Sequence, residues 1–258
     1  MTDDSEAKAG SRAVLVTGAS RGVGAAVARA FAAAGDRVGV HYGTGRAAAE
    51  QTLASLPGER HILVGADLTD PDAVRRMVDE AARALDGVDV LVNNAGIYLR
   101  HEITETSYEQ WQRAWRTTLE VNLVGAANVT WCAVRHMLGR GGGRVVNVSS
   151  RGAFRGEPRH LAYGASKAAL NAFGQSLARA LGPHRIAVAT VAPGFVDTDM
   201  AAGILAGPDG DGIRAESPFG RVATPEEVAS AVLFLASAEA EFASGTILDL
   251  NGASYLRT

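Results

Sequence analysis

Short apolar runs alternate with helical stretches along almost the whole chain, and this alternation restricts the fold more than any other feature. Continuous apolar runs are typical of a parallel sheet whose two faces are both covered by helices. Two intervening helices have recognisable starts, because Asp70-Pro71 can cap a first turn and Thr224-Pro225-Glu226-Glu227 has the form of a capping box. The sequence therefore predicts an α/β fold, a single doubly wound domain with a seven-stranded, mainly parallel sheet. The predicted strands cover residues 13–17, 37–41, 61–65, 88–92, 144–148, 185–191 and 246–250.

The length and composition of the chain fit one domain. At 258 residues, of which 47% are hydrophobic, it can bury a substantial core. We expect the domain over residues 12–258, after a flexible tail over residues 1–11 that lacks the basic and apolar blocks of a signal peptide. No run approaches the ~20 apolar residues that span a bilayer, so we expect a cytoplasmic protein without a membrane partner.

Charge and cysteine content narrow the function further. A net charge of −3 gives no electrostatic reason to bind nucleic acid, and we expect no such partner. Cys132 is the only cysteine, which excludes an intrachain disulfide and a cysteine-rich metal site, and no metal is expected.

A glycine-rich turn joins the first predicted strand to the first predicted helix. It reads Gly18-Ala19-Ser20-Arg21-Gly22-Val23-Gly24. Glycine permits positive φ angles and a close approach of the backbone to a ligand, and the N–H groups of a first helical turn attract anions. The turn is therefore a candidate pyrophosphate site, with a glycine turn that binds no ligand as the alternative.

Tyr163 and Lys167, with Ser150 upstream, form a candidate proton-transfer site. Residues 162–181 are rich in Ala and Leu and free of Pro, so they should be helical, and a spacing of four puts the phenol and the ammonium on one face. A positive charge within about 4–6 Å lowers a tyrosine pKa by about 1–3 units, so Lys167 is expected to lower the pKa of Tyr163. The hydroxyl of Ser150, at the end of a predicted strand, can hydrogen-bond a substrate oxygen. A solvated helix face would show the same Tyr/Lys spacing.

Six motifs follow one another along the chain: Thr17-Gly18-x-x-x-Gly22-x-Gly24, Asn93-Asn94-Ala95-Gly96, Asn122, Ser150, Tyr163-x-x-x-Lys167 and Pro193-Gly194. Their order and approximate spacing resemble the classical short-chain dehydrogenase/reductase family, over about residues 12–256. The resemblance implies a Rossmann domain and an NAD(P)(H)-dependent oxidoreductase. Within the family, the chain is most similar to the 3-oxoacyl-thioester reductase type.

The resemblance also implies roles for individual residues. Ser150 would polarise a substrate carbonyl and Tyr163 would deliver a proton to it. Lys167 would bind the nicotinamide ribose, and Asn122 would support a water-linked proton path to that lysine. Cofactor contacts are expected from Gly18, Ser20, Arg21, Gly22, Val23, Gly24, Tyr42, Gly43, Arg46, Asp67, Leu68, Asn94, Ala95, Gly96, Tyr163, Lys167, Pro193, Gly194, Val196 and Thr198.

The end of the second predicted strand favours NADP(H) over NAD(H). Many NAD-binding folds place an acid there against the ribose 2′-hydroxyl, but the family register puts Tyr42 at that position and no acid appears before Glu50. Arg21 and Arg46 can instead meet a 2′-phosphate through charge-assisted hydrogen bonds. Two solvated arginines, with NAD tolerated, are the alternative.

The expected reaction is interconversion of a ketone and a secondary alcohol, with a 3-oxoacyl-thioester-like ketone as the first choice of substrate. A sugar, a polyketide or another small alcohol is the alternative substrate, and a non-catalytic dinucleotide sensor is the alternative function. Residues 198–221 read as irregular and are a candidate substrate lid. The resemblance further implies a homo-oligomer, a tetramer or a dimer. Five residues can surround the mouth of the site and meet an acidic carrier or a phosphate: Arg100, His101, Arg151, Arg155 and Arg159. The alternative is that they are ordinary surface residues.

Overall fold

The computed structural model describes residues 11–257, so the predicted tail lies outside the described residues except for Ser11. The chain alternates between strands and helices, as predicted. None of the helices within this described part is both long enough and apolar enough to cross a membrane. The strands are β1 (Ala13–Val16), β2 (Arg37–Tyr42), β3 (Ile62–Gly65), β4 (Val90–Asn93), β5 (Gly143–Val148), β6 (Ile186–Pro193) and β7 (Ile247–Leu250). The helices are α1 (Gly22–Ala33), α2 (Arg46–Ala54), α3 (Pro71–Ala84), α4 (Tyr108–Leu119), α5 (Ala126–Gly139), α6 (Gly152–Arg155), α7 (Leu161–Leu181), α8 (Asp199–Leu205), α9 (Gly210–Ala215) and α10 (Pro225–Leu235), with a π-helical turn at Glu120–Gly125 and 3₁₀ turns at Gly182–His184 and Glu241–Ala243.

The seven strands form one sheet in the order β3-β2-β1-β4-β5-β6-β7. Every pair of neighbours is parallel, so the sheet is wholly rather than mainly parallel. β1 and β4 pair with each other in the middle of the sheet. From β1 the chain continues through β2 to β3 at one edge, and from β4 it continues through β5 and β6 to β7 at the other edge, so the strand order reverses between β1 and β4. In such sheets a crevice opens beyond the carboxyl ends of the strands at the point of reversal, and ligands bind there.

Helices cover both faces of the sheet because successive strand residues point to opposite sides. Val14 and Val16 of β1 pack in a cluster with Phe31 of α1 and Val232 of α10. Leu15, between them, belongs to a second cluster that contains α3 and α5 residues such as Met77 and Met137. The two clusters are the two layers of the core.

The two predicted helix starts are confirmed. The Asp70 side chain accepts hydrogen bonds from two N–H groups of the first turn of α3. Thr224 and Glu227 form the reciprocal hydrogen bonds of a capping box at α10.

The segment after β6 differs from the prediction. Residues 198–221 were expected to be irregular, but they contain the short helices α8 and α9. Gly207, Pro208 and Gly212 made this segment look irregular in the sequence, since glycine and proline ordinarily interrupt helices.

Candidate active site

The glycine turn between β1 and α1 depends on the absence of side chains. Gly18 and Gly22 have φ angles of +63° and +55°, which glycine adopts without strain. A Cβ on Gly24 would lie 2.5 Å from Nδ2 of Asn94. The turn therefore leaves its backbone open to a ligand at the N-terminus of α1.

A buried histidine that the sequence did not single out holds this turn in place. The N–H of Gly18 donates to Nδ1 of His41 at 3.0 Å, and the N–H of Ala19 donates to the His41 carbonyl at 2.8 Å. Nε2 of His41 lies 3.1 Å from the carbonyl oxygen of Ala66, so Nε2 carries the proton and Nδ1 accepts. Burial lowers the pKa of His41, which favours this neutral form.

Asn94 fixes the other side of the turn. Its Nδ2 donates to the carbonyl oxygens of Thr17 and Gly18, at 2.9 and 3.0 Å. The backbone N–H of Asn94 donates to Oγ1 of Thr17 at 3.0 Å. Because both donors of Asn94 are directed at the turn, it connects the ends of β1 and β4.

One cavity of about 490 Å³ extends from the glycine turn to Ser150, Tyr163 and Lys167. It opens at the carboxyl ends of the strands, where the order of the sheet predicts a crevice. The residues expected to contact a cofactor all line it, with the exception of Tyr42 and Arg46.

Tyr42 and Arg46, which were also predicted to contact the cofactor, lie outside this lining. The Tyr42 ring packs against β3, where a Cβ on Gly65 would approach Cζ of the ring to 2.8 Å. Arg46 forms an ion pair with Glu50 one helical turn further along, at 2.8 Å. Thr44 lines the cavity beside Gly43 instead.

Lys167 projects from α7 into the cavity and is 4% exposed. Its Nζ donates to the carbonyl oxygen of Val148 at 2.8 Å and lies 5.7 Å from the centre of the Tyr163 ring. An ammonium has three donors, so two remain for other partners. Burial lowers the pKa of Lys167 to about 8.

The expected effect of Lys167 on the phenol is corrected by the geometry. Burial raises the pKa of Tyr163 to about 12, and hydrogen bonding with Ser150 opposes that rise. The Lys167 ammonium is directed at the Val148 carbonyl, and desolvation of the phenol outweighs its influence in the protein alone. Tyr163 is therefore a protonated donor over the physiological pH range.

Asn122 lies behind the cavity, in the π-helical turn between α4 and α5. Its Oδ1 accepts from the N–H of Ile97 at 2.8 Å, and its Nδ2 donates to the Ile97 carbonyl and to Oγ of Ser166. A Cβ on Gly96 would lie 3.4 Å from Oδ1 of Asn122 and 3.5 Å from Nζ of Lys167. Gly96 thus separates the amide from the ammonium.

Three further side chains surround Tyr163, and the sequence did not single them out as site residues. Tyr98 meets the Tyr163 ring edge to face at 4.7 Å between centroids and stacks on His160 at 3.6 Å. The Tyr98 hydroxyl donates to Oε2 of Glu157 at 3.0 Å. Tyr98 and Glu157 both line the cavity. Apolar spacing along the chain could not have revealed them, because they come from different loops.

The residues expected at the mouth of the site are engaged within the chain. Arg100 pairs with Glu102, while Arg151 and Arg155 both pair with Glu216. Arg159 lies within 3.6 Å of Glu102 and within 3.5 Å of Asp209. His101 is buried, and its Nε2 accepts from the N–H of Ala162 at the start of α7. Each of these side chains therefore has a partner within the chain, although Arg100 and Arg159 are more than half exposed.

The cavity fits a dinucleotide. At one end, the glycine turn leaves no room for a side chain at Gly24. At the other end, Gly96 brings the backbone close to Lys167, and the same cavity connects both ends. A pyrophosphate at the N-terminus of α1 would be held by backbone N–H groups, with Lys167 available for ribose hydroxyls.

Known proteins share this architecture. A family model described as Enoyl-(Acyl carrier protein) reductase matches residues 18–252. The 3-oxoacyl-[acyl-carrier-protein] reductase FabG of Aquifex aeolicus is 36% identical over 97% of this chain and 100% of its own. Versicolorin reductase stcU of Emericella nidulans is 36% identical over 95% of this chain and 96% of its own. A short chain dehydrogenase from Burkholderia cenocepacia, solved in complex with NADP, has a TM-score of 0.86 and 36% identity over 94% of this chain and 97% of its own.

These relatives cover nearly the whole chain at identities that establish common ancestry, and the site described above lies within the matched residues. The chain belongs to the short-chain dehydrogenase/reductase family and is an oxidoreductase that acts on CH–OH groups.

Proposed function

We propose that the protein reduces a ketone to a secondary alcohol with NADP(H), and catalyses the reverse oxidation when the reactants favour it. The observation that carries the proposal is the single cavity shared by the glycine turn and the Ser150, Tyr163 and Lys167 side chains. A nicotinamide cofactor, when bound, supplies a hydride to the carbonyl carbon.

Tyr163 gives its proton to the carbonyl oxygen as negative charge develops there. The raised pKa of about 12 keeps the phenol protonated until that moment, and Ser150 provides a second hydrogen bond to the same oxygen. The O–H bond of Tyr163 breaks, a new O–H bond forms on the product alcohol, and a phenolate remains. Oxidation is the same transfer with Tyr163 as the base.

Lys167 stabilises the phenolate and holds the cofactor ribose. Its two donors beyond the Val148 carbonyl are available for these contacts. Asn122 acts as a positioning residue, since its amide ties the Ile97 backbone to Ser166 of α7, one residue before Lys167.

NADP(H) is proposed as the cofactor because the cavity offers the Arg21 cation, and because no acid stands at the end of β2 to meet a 2′-hydroxyl. Arg21 occupies the N-cap position of α1 and lines the cavity, and the first turn of α1 contains no acid. Glu50 is paired with Arg46. A relative in complex with NADP supports the same choice.

Arg21→Ala tests the cofactor assignment. We expect the Kd for NADPH to rise about tenfold or more while the Kd for NADH changes little, because only the former has the 2′-phosphate. Tryptophan fluorescence or calorimetry measures both constants, and Arg21→Lys should recover part of the loss. An equal effect on the two cofactors would remove Arg21 from this role.

A substrate screen that follows NADPH absorbance tests the reaction. The relatives that act on 3-oxoacyl-carrier substrates make acetoacetyl-CoA a necessary member of the panel, beside neutral ketones and sugars. Tyr163→Phe should lower kcat by about 10²–10⁴-fold with NADPH still bound, while the exposed Tyr108→Phe serves as the control. NADPH binding without turnover of any ketone would favour a dinucleotide sensor.

A further inference from the structure

Glu157 brings an acidic group into a cavity that is also lined by apolar side chains. Ile97, Met200 and Ile204 contribute aliphatic side chains to the lining, and Tyr98 contributes an aromatic ring. The Glu157 side chain is partly buried there. A carboxyl group in such surroundings loses hydration and is costly unless it has partners.

One oxygen of the Glu157 carboxyl group is used and the other is available. Oε2 accepts the hydroxyl of Tyr98, but Oε1 has no hydrogen-bond partner among residues 11–257. Oε1 lies against Gly152 on one side: it is the atom closest to where a Cβ on Gly152 would stand, and Cγ of Glu157 would lie 2.8 Å from that Cβ. Gly152 therefore gives the carboxyl group the space that it occupies, beside the start of α6.

Glu157 is not required merely to hold Tyr98. The Tyr98 ring is already stacked on His160 at an interplanar angle of 12° and packed edge to face on Tyr163. Burial lowers the pKa of His160 to about 4, so this stack is formed by a neutral imidazole. Two aromatic contacts fix the tyrosine ring independently of its hydroxyl.

The charges around Glu157 select against anionic substrates. Arg151 and Arg155 lie close enough to affect the Glu157 carboxyl group, yet both are paired with Glu216, at 2.6 and 2.9 Å. An anionic group would meet the Glu157 carboxylate, and no free arginine would offset the repulsion because Arg151 and Arg155 are both paired with Glu216. A neutral hydrogen-bond donor avoids this penalty.

We propose that Glu157 is a specificity-determining residue whose free oxygen accepts a hydrogen bond from a hydroxyl group of a neutral ketone substrate with an apolar body. The apolar lining packs the body of the substrate, Ser150 and Tyr163 bind its carbonyl oxygen, and Glu157 binds the hydroxyl at a second point. Ketones that would place a carboxylate or a phosphate beside Glu157 do not belong to this substrate class. The inference rests on the proposed ketone reduction and names the kind of ketone.

The test uses the full chain with NADPH and a matched set of ketones: 1-tetralone, each of its aromatic-ring monohydroxy isomers, and acetoacetyl-CoA. We expect at least one hydroxylated isomer to have a higher kcat/KM than 1-tetralone. In Glu157→Gln this ratio should fall about tenfold, mainly through KM, because a neutral amide oxygen accepts a weaker hydrogen bond than a carboxylate. Glu59→Gln, at an exposed position, is the control.

Two results would overturn the inference while the proposed reaction stands. The first is an equal loss for 1-tetralone and its hydroxylated isomers in Glu157→Gln, which would make Glu157 a structural residue. The second is a wild-type preference for acetoacetyl-CoA over every neutral ketone. Tyr98→Phe separates the roles further, because it removes the hydroxyl that occupies Oε2 and should leave the preference for a hydroxylated ketone in place.

Failure of the proposed reaction looks different. In that case the wild-type protein binds NADPH but reduces none of these ketones. The ratio of kcat/KM for a hydroxylated isomer to kcat/KM for 1-tetralone then cannot be measured for the wild type or for the Glu157 variant. The fluorescence of bound NADPH separates this result from loss of folding or of cofactor binding.

Discussion

At the scale of single residues, the site depends on burial that neighbouring sequence does not reveal. The spacing of Tyr163 and Lys167 predicted that they share a helix face, and they do lie together on α7. Their pKa directions could not be predicted, because desolvation depends on elements that the fold brings over them. Burial lowers the pKa of Lys167 and raises that of Tyr163, so each neutral form is favoured.

Lys167 gives a pH-dependent stability prediction. Its pKa is about 8 in the folded protein, whereas an ordinary lysine has a pKa of 10.5, so between these values the unfolded chain binds more protons than the folded one. The stability of the cofactor-free protein relative to Lys167→Met should therefore rise between pH 8 and 10.5, by up to about 1.4 kcal/mol per pH unit. Urea unfolding of both proteins across this range measures the difference. Lys8 is the only other lysine, and a flat difference would show that Lys167 is not desolvated.

His41 gives a second prediction at this scale. His41→Leu removes the acceptor for the Gly18 N–H and the donor for the Ala66 carbonyl, and it should cost about 1–3 kcal/mol in unfolding free energy. NADPH should bind at least several-fold more weakly, because the glycine turn loses its support. His41→Asn, which keeps an acceptor near the position of Nδ1, should recover part of both losses. Unchanged affinity in His41→Leu would show that the turn holds its shape without this contact.

At the scale of elements, the helix starts were predictable and two local features were not. Asp70 and the Thr224/Glu227 pair form caps through residues that are adjacent in the chain, so their signal is local. The π-helical turn at Glu120–Gly125 has no comparable signal, since tertiary contacts of Asn122 with Ile97 and Ser166 stabilise it. Helices α8 and α9 were hidden by glycines and a proline.

The end of α9 is attached to the catalytic region through one carboxylate. Glu216 pairs with Arg151, which is 3% exposed and directly follows Ser150. Glu216→Ala would leave a buried guanidinium unpaired and should destabilise the protein by about 1–3 kcal/mol. It should also make residues 199–217 more sensitive to limited proteolysis. Asp211→Ala on α9, where the side chain is fully exposed, is the matched control, and equal behaviour of the two variants would contradict the assignment.

At the scale of the whole molecule, alternation of apolar runs and helices was enough to predict the sheet, because helical crossovers bury both of its faces. The carboxyl-end crevice followed from the strand order, and the motif residues gather there. Assembly was predicted from family resemblance alone. Exposed apolar side chains on opposite faces of the sheet offer candidate interfaces: Trp131 on α5 on one face, and Phe234 on α10 on the other, where Leu248 lies on the edge strand β7.

We expect a homotetramer built on these two surfaces. Trp131→Glu and Phe234→Glu should each reduce it to a dimer, and the double variant should give a monomer, because a charge in an apolar interface is costly. Sedimentation velocity measures the three states. A wild-type protein that sediments as a monomer at micromolar concentration would contradict the prediction.

A crystal structure with NADP⁺ bound is the most direct test of the central claim, that the glycine turn and Tyr163 serve one reaction site. We expect the pyrophosphate at the N-terminus of α1, Lys167 Nζ within hydrogen-bond distance of the nicotinamide ribose, and the Tyr163 hydroxyl beside the nicotinamide ring. A nicotinamide ring bound outside the cavity, or a Tyr163 hydroxyl directed away from the ring, would show that the two do not share one reaction site.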